Sequence, residues 1–249
     1  MIHFFTYSFN SIAYLSYQYD CLKKFCEEDY QLHCIDNAID NNVSAALQNV
    51  CSTKNIEYHK NLQPDHSLHG RSHYAAMQWS WNNIISKQND ICVMTDHDTF
   101  AIKSFGIKSM LGEADVVGAP QSRETITYIH PSFMIWNIPN LPDKNKVDFN
   151  GETVDGIRCD IGGQLAIYFR EHTEVKLKFI KNMIVSNTDG IIPNHLVNSY
   201  TYPVNPFEII DDTFFHARLG SNWSYIPKTQ FDIRNNIVYD TLNYYLGNK

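Results

Sequence analysis

Four times within the first hundred residues, a short apolar run stands apart from longer stretches whose apolar side chains recur three and four residues apart. Ile2 to Phe9, Tyr30 to Ile35, Ile56 to His59 and Ile91 to Thr95 have the length and side-chain content of strands. Between them, Ile12 to Cys26, Val43 to Cys51 and His69 to Ser86 have helical spacing. Ile12, Leu15, Tyr19, Leu22 and Cys26 fall near one face of the first, and His73, Met77, Trp81 and Ile84 share one side of the third. Strands joined through helices run parallel with right-handed crossovers. The expected fold is therefore α/β, a Rossmann-type, mainly parallel sheet flanked by helices. Ligands of such sheets bind beyond the carboxyl ends of the strands, where Asn10, Asp36 and Asp96 fall.

The second half is less regular. Ala114 to Ala119 and Tyr128 to Asn137 read as strands, the latter interrupted at Pro131, and Pro139 to Gly156 as a turn-rich loop. Gln164 to Glu171 reads as a helix with Asp160 as its N-cap. Lys176 to Val185 predicts one more strand, Pro193 to Pro206 a turn-rich aromatic stretch, Phe214 to His216 a short segment, and Asn235 to Leu246 a terminal helix. No repeat or linker divides the 249 residues, so a single domain over 1–249 is expected.

The formal net charge is −7 and the lysines are scattered, which argues against a polynucleotide partner. A nucleotide diphosphate remains an acceptable ligand, because a bound cation reverses the local sign. Cys21, Cys26, Cys34, Cys51, Cys92 and Cys159 form no C-x-x-C pair, and several sit in apolar runs. They read as reduced thiols of a cytoplasmic protein. No apolar stretch has the length of a transmembrane segment, and the first residues do not resemble a signal peptide.

Asp96-His97-Asp98 is the strongest chemical signal. An apolar strand ending in two carboxylates one residue apart exposes both at the sheet edge. Their mutual repulsion is relieved by a hard divalent cation, Mn2+ or Mg2+, which also bridges to phosphate oxygens. The competing reading is a solvated turn that caps a helix near Ala101.

This order of elements resembles the GT-A glycosyltransferases. The run His69-Gly70-Arg71-Ser72-His73, an amphipathic helix, and Ile91-Cys92-Val93-Met94-Thr95-Asp96-His97-Asp98 is similar to that of family 2-like members with their D-x-D motif. His130-Pro131-Ser132-Phe133, Asp160-Ile161-Gly162-Gly163 and Phe215-His216 look like acceptor-half landmarks, and the compact chain resembles transferase domains of large DNA viruses of algae. The resemblance implies a donor-nucleotide half at about 1–100 and an acceptor half at about 101–249. It implies transfer of a sugar from a UDP- or GDP-sugar to a hydroxyl of a glycan or similar acceptor, with inversion. Asp98 would bind the metal directly, Asp96 the ribose or a metal-bound water, and His216 would be the third metal ligand unless it is a core histidine.

Under this reading Tyr7, Ser8 and Asn10 frame the donor base. Asp36 either accepts from an imide N–H of the base or is an ordinary turn residue. Arg71 suits a phosphate. His69 and His73, four apart, share a helical face and serve either as ligands or as caps. Asp160 is the base that deprotonates the acceptor, with Asp155 as its rival. Ser132, Phe133, Trp136 and Trp223 offer sugar platforms, although tryptophan is more often core.

Two other classes compete. Asp96-His97-Asp98-Thr99 also resembles the opening motif of haloacid-dehalogenase phosphohydrolases, with Asp211-Asp212 as a later acidic pair. That motif normally sits on the first strand of its core, and here about 90 residues precede it. A non-catalytic sugar- or nucleotide-binding module is the other.

Overall fold

The computed structural model describes residues 1–9, 11–67, 69–185, 191, 207–217 and 227–248. β1 (Ile2–Ser8), α1 (Ile12–Phe25), β2 (Tyr30–Asp36), α2 (Asn41–Lys54), β3 (Glu57–Lys60), α3 (His69–Asn83) and β4 (Ile91–Asp96) follow one another as the periodicity predicts. They are followed by β5 (Thr99–Ala101), α4 (Ile107–Leu111), β6 (Val116–Arg123), β7 (Ile126–Asn137), β8 (Thr153–Val154), β9 (Ile157–Arg158) and α5 (Leu165–Glu171). The remaining elements are β10 (Leu177–Phe179), β11 (Asn182–Ile184), β12 (Phe207–Ile210), β13 (Phe214–Ala217) and a terminal helix, α6 (Lys228–Leu246).

Seven strands form the main sheet in the order β10-β6-β7-β4-β1-β2-β3. β1 pairs in parallel with β2 and β4, β2 with β3, and β10 with β6, whereas β7 runs antiparallel to both of its neighbours. The sheet is therefore mainly parallel and flanked by helices, as expected. Alternation along each strand divides the core between its two faces. Phe4, Leu32 and Val93 pack in one layer with Leu15 of α1, Leu47 of α2 and Val238 of α6. Phe5, Ile35, Cys92 and Met94 pack in the other with Met77 and Trp81 of α3. Because β1, β2 and β4 are in register, Ser8 lies beside Asp36 and Tyr7 beside Asp96 at one carboxyl-end edge.

A second sheet, absent from the sequence reading, has the order β11-β12-β13-β5 and is antiparallel throughout. It explains why Lys176 to Val185 is not one strand. Ile180 N still bonds to Gly118 O of β6, but Lys181 O accepts from Asp211 N, so the chain changes sheets between them.

Pro131 does not break β7. The β6–β7 register shifts between Gly118 and Pro120, and the extra residues form a bulge, which a proline without an N–H tolerates. Helix α5 starts at Leu165, so Asp160 is not its N-cap. Gly162, at φ 89°, interrupts the backbone between them. An added Cβ there would lie 2.7 Å from Ile129 O, so the position also requires close backbone approach. The six cysteines are free thiols. None of the described helices is long and apolar enough to cross a membrane.

Trp136 is fully buried, 5.0 Å from the Trp81 ring and stacked 6.1 Å from Phe169. Trp136→Ala is expected to lose about 3–5 kcal/mol in denaturant unfolding; a loss below about 1 kcal/mol would show that this layer is loosely packed.

Candidate metal centre

β4 ends at Asp96 and the chain turns directly into β5, so a single turn joins the two sheets. Gln18 clamps this turn from inside α1. Its Nε2 donates to Asp96 O at 2.8 Å and to Thr99 O at 2.9 Å, both satisfied away from water. On the other side, Ala217 N donates to Asp98 O at 2.9 Å and His216 pairs with Thr99. β13 thereby carries His216 up to the two aspartates. His97, between them, turns away to pack 5.7 Å from the Tyr14 ring.

His216 Nε2 lies 3.5 Å from Asp98 Oδ1 and 3.9 Å from Asp96 Oδ2. One ligand atom from each of the three residues falls within 4.8 Å of the others, and Asp98 and His216 are buried. Two carboxylates and an imidazole suit a manganese- or magnesium-type ion. The cross-strand partner Glu208 approaches His216 Nδ1 at 3.1 Å. A carboxylate there fixes the tautomer that leaves Nε2 toward the aspartates, the usual outer support of a ligating histidine. The residues present therefore fit a divalent cation.

Two further histidines border the cluster. His73 Nε2 of α3 is 3.0 Å from Asp96 Oδ1, but neither atom has an aligned hydrogen bond among the described residues, so the contact is one of charge. The β7 bulge brings His130 to 6.0 Å, ring to ring, from His216. His130 Nδ1 accepts from Ser132 N at 3.2 Å and faces Ser132 Oγ at 2.7 Å.

Charge is tightly balanced here. Burial alone disfavours the His216 cation, but the carboxylates of Asp98, Glu208 and Asp96 overcome it and push its pKa up to about 10. Burial likewise opposes ionisation of Asp96, yet His73, His216 and His130 hold its carboxyl well below the usual range. His73 is raised, with Asp96 outweighing desolvation, while burial and the His216 charge bring His130 down to about 4.

The other expected residues divide sharply. Asp160 is half-exposed, with its carboxylate 3.8 Å from Arg123 and its N–H donated to the buried Tyr128 hydroxyl at 2.9 Å. Its charge is felt by both His73 and His130. Asp155 instead forms the positive-φ turn of the β8–β9 hairpin and is paired with Arg170. Asp36 is fully buried and saturated: Oδ1 accepts from Ala38 N at 2.8 Å, and Oδ2 from Tyr58 at 2.6 Å and Lys60 at 3.1 Å. Of its two readings, the structure gives it the turn.

Tyr7 is buried with its hydroxyl 3.0 Å from Ser80 Oγ, and buried Ser8 accepts from Cys34 Sγ. Neither presents a free edge to a base. Phe133 packs 4.3 Å from Phe214, and Ser132 O accepts from Thr95 and Thr99. With Trp136, these are interior residues rather than sugar platforms, because each is at most 1% exposed. Arg71 stands exposed on α3, where its charge reaches Asp65. Asn10 and Trp223, and the side chain of His69, lie outside the described residues. Asp211 and Asp212, at positive φ, form the β12–β13 loop, which accounts for both without a phosphohydrolase role.

Gln18 and Glu208 were not singled out by the sequence, and His130 entered only within the His130-Pro131-Ser132-Phe133 landmark, with no role of its own. Only Glu208 had a short-range signal: Phe207 to Ile210 and Phe214 to Ala217 flank a polar turn, and pairing them sets Glu208 opposite His216.

No protein-family model matches the chain, and no curated protein matches it. Similar solved structures include the mannosyltransferase PcManGT from Pyrobaculum calidifontis in complex with GDP-Man and Mn2+. It has a TM-score of 0.49 and 10% identity, over 72% of this chain and 54% of that one. Galactosyltransferase LgtC in complex with donor and acceptor sugar analogs has a TM-score of 0.46 and 14% identity, over 82% and 81% of the two chains. The bifunctional glycosyltransferase WbbM, in its apo structure, has a TM-score of 0.45 and 10% identity, over 72% and 38%. The chain thus spans about half the length of the mannosyltransferase.

Two outcomes are expected. Gln18→Leu should cost about 1–3 kcal/mol for each carbonyl left unpaired and weaken Mn2+ binding; an unchanged unfolding midpoint would show that the turn holds itself. The second concerns pH. Without metal, the His216 contribution to stability is complete below about 6.5 and is lost as pH rises through about 10. Because a ligating imidazole must be neutral, Mn2+ affinity should rise about tenfold per pH unit between pH 7 and 9. Calorimetry in buffers of different ionisation enthalpy should register one proton released per ion; a flat affinity would exclude His216 as a ligand.

Proposed function

We propose that this chain is a metal-dependent glycosyltransferase that moves a sugar from a UDP- or GDP-sugar to a hydroxyl of a glycan or similar acceptor. The supporting observation is the gathering of Asp96, Asp98 and His216 ligand atoms within 4.8 Å of one another, at the edge where β1, β2 and β4 end. Parallel sheets bind nucleotides at this edge. A divalent cation held there supplies charge neutralisation for a departing diphosphate.

The chain's own residues account for the rest. Asp98 and His216 hold the ion, with Glu208 orienting His216, and Asp96 shares the ion or meets the ribose. Asp160 takes the proton of the acceptor hydroxyl. As it does so, the acceptor oxygen bonds to the anomeric carbon, and the bond from that carbon to the diphosphate breaks with its electron pair leaving on the diphosphate. A single displacement with a base and no covalent intermediate inverts the anomeric centre. Arg71, exposed near the start of α3, is the residue we assign to a donor phosphate. Six free cysteines suit the reducing cytoplasm as its location.

Thermal-shift titration with UDP- and GDP-sugars, each with Mn2+ or Mg2+, tests donor binding directly, and a rise in Tm requiring both partners is expected. Asp98→Ala should abolish that rise; equal donor affinity with and without metal would remove the cation from the reaction. Asp160→Asn should retain donor binding while turnover falls ~100-fold or more. Normal turnover in that variant would move the base elsewhere.

A further inference from the structure

A second cluster of ligating side chains lies across β1, β2 and β3, on separate residues from the transfer site. His33 of β2 is opposite Glu57 of β3, and His59 is two residues further along, so strand alternation puts all three on one face. His33 Nδ1 lies 3.1 Å from His59 Nε2 and 3.2 Å from Glu57 Oε2, and His59 Nε2 lies 3.6 Å from Glu57 Oε1. Ligands at the distances usual for Zn2+ in a tetrahedron are separated by about 3.3 Å. The His33–His59 and His33–Glu57 separations lie close to that value, the third contact is to the other oxygen of Glu57, and one ligand atom from each residue falls within 4.8 Å of the others.

The other nitrogen of His33 is also accounted for. Its Nε2 lies 3.0 Å from His3 Nδ1, and His3 Nε2 lies 3.5 Å from Asp90 Oδ2. If His3 gives its proton to Asp90, His33 gives its Nε2 proton to His3, which leaves the His33 Nδ1 lone pair directed at Glu57 and His59. A relay ending on a carboxylate is the outer support expected behind a ligating histidine. His33 is buried and stacked 4.4 Å from the Phe5 ring, so its position is fixed. Glu57, at 53% exposure, and His59, at 19%, form the solvent side through which an ion enters.

We propose that His33, Glu57 and His59 bind a zinc-class divalent ion that fastens the edge strand β3 to β2. In the metal-free arrangement the two imidazoles share a proton along the His33–His59 line. On binding, His59 would move its proton from Nε2 to Nδ1 through solvent and stay neutral, its ring would turn so that both lone pairs meet the ion, and water would complete the fourth position. Nitrogen-rich ligation separates this site from the carboxylate-rich cluster at Asp96 and Asp98.

The test uses the full chain carrying Asp98→Ala, which removes a ligand of the other cluster, titrated with Zn2+ alone. One ion per chain and a rise in Tm are expected. Adding Glu57→Gln and His59→Gln together should lower the affinity at least tenfold and abolish the rise, while the metal-free Tm stays in place. His3→Gln, which removes no ligand, should weaken binding about 10–100-fold. If the paired variant does not fold, Glu57→Gln alone, at an exposed side chain, makes the same comparison. Undiminished Zn2+ affinity in these variants, or no binding by the parent, overturns the site.

Discussion

The hydrogen bond from Ala217 N to Asp98 O joins the two ends of the candidate site. It continues the pairing of β13 with β5, which is a direct extension of β4 beyond one turn. Everything at the cluster follows from that pairing. His216 comes from more than a hundred residues away in sequence, and Glu208 arrives with it as the cross-strand neighbour. Gln18 holds the same turn from the opposite side, so the acidic pair is fixed between a helix and a strand rather than left on a free loop.

Such a turn concentrates negative charge in a place with little water. Asp96 and Asp98 are brought together by the backbone, and Glu208 lies just behind His216. The surrounding imidazoles compensate unequally. His216 is driven strongly toward its cation, whereas His130, close to it and buried, is driven toward neutrality. The protein favours positive charge on His216 and on His73, on two sides of Asp96, and resists it on His130. A divalent ion fits this arrangement by taking the place of the His216 proton.

The parallel half of the fold was legible because its signals are local. Apolar runs, helical spacing and a strand ending in Asp96-His97-Asp98 need no tertiary information. The second sheet was not legible, since β5, β11, β12 and β13 are each three or four residues long and acquire meaning only from one another. The same limit governs individual residues. Gln18 looks like an ordinary helical polar residue until the turn it holds is known. Trp136 could be read as a sugar platform until the strand placed it beneath α3 with Met134. Asp160 resembled a helix cap because the spacing was close, but Gly162 bends the chain before α5 begins. Asp36 shows the converse: burial beside Tyr58 and Lys60 uses up a carboxylate that, in sequence, looked available for a ligand.

The bulge at Pro131 has a consequence for how the chain tolerates change in length. Ile129 lies on the same side of the sheet as Met134 and Trp136, five and seven residues later, whereas Phe133 and Ile135 face the other way. An unbroken strand would have put Ile129 with Phe133 and Ile135, so the bulge inverts the phase of inward and outward side chains partway along β7. Loss of a single residue there would set Ile129 four residues before Met134, a spacing at which plain alternation already puts both on one face. The aromatic layer under α3 would be kept by a regular strand, and what would be lost is the excursion that brings His130 up to His216. The irregularity therefore serves the acidic turn rather than the core beneath it.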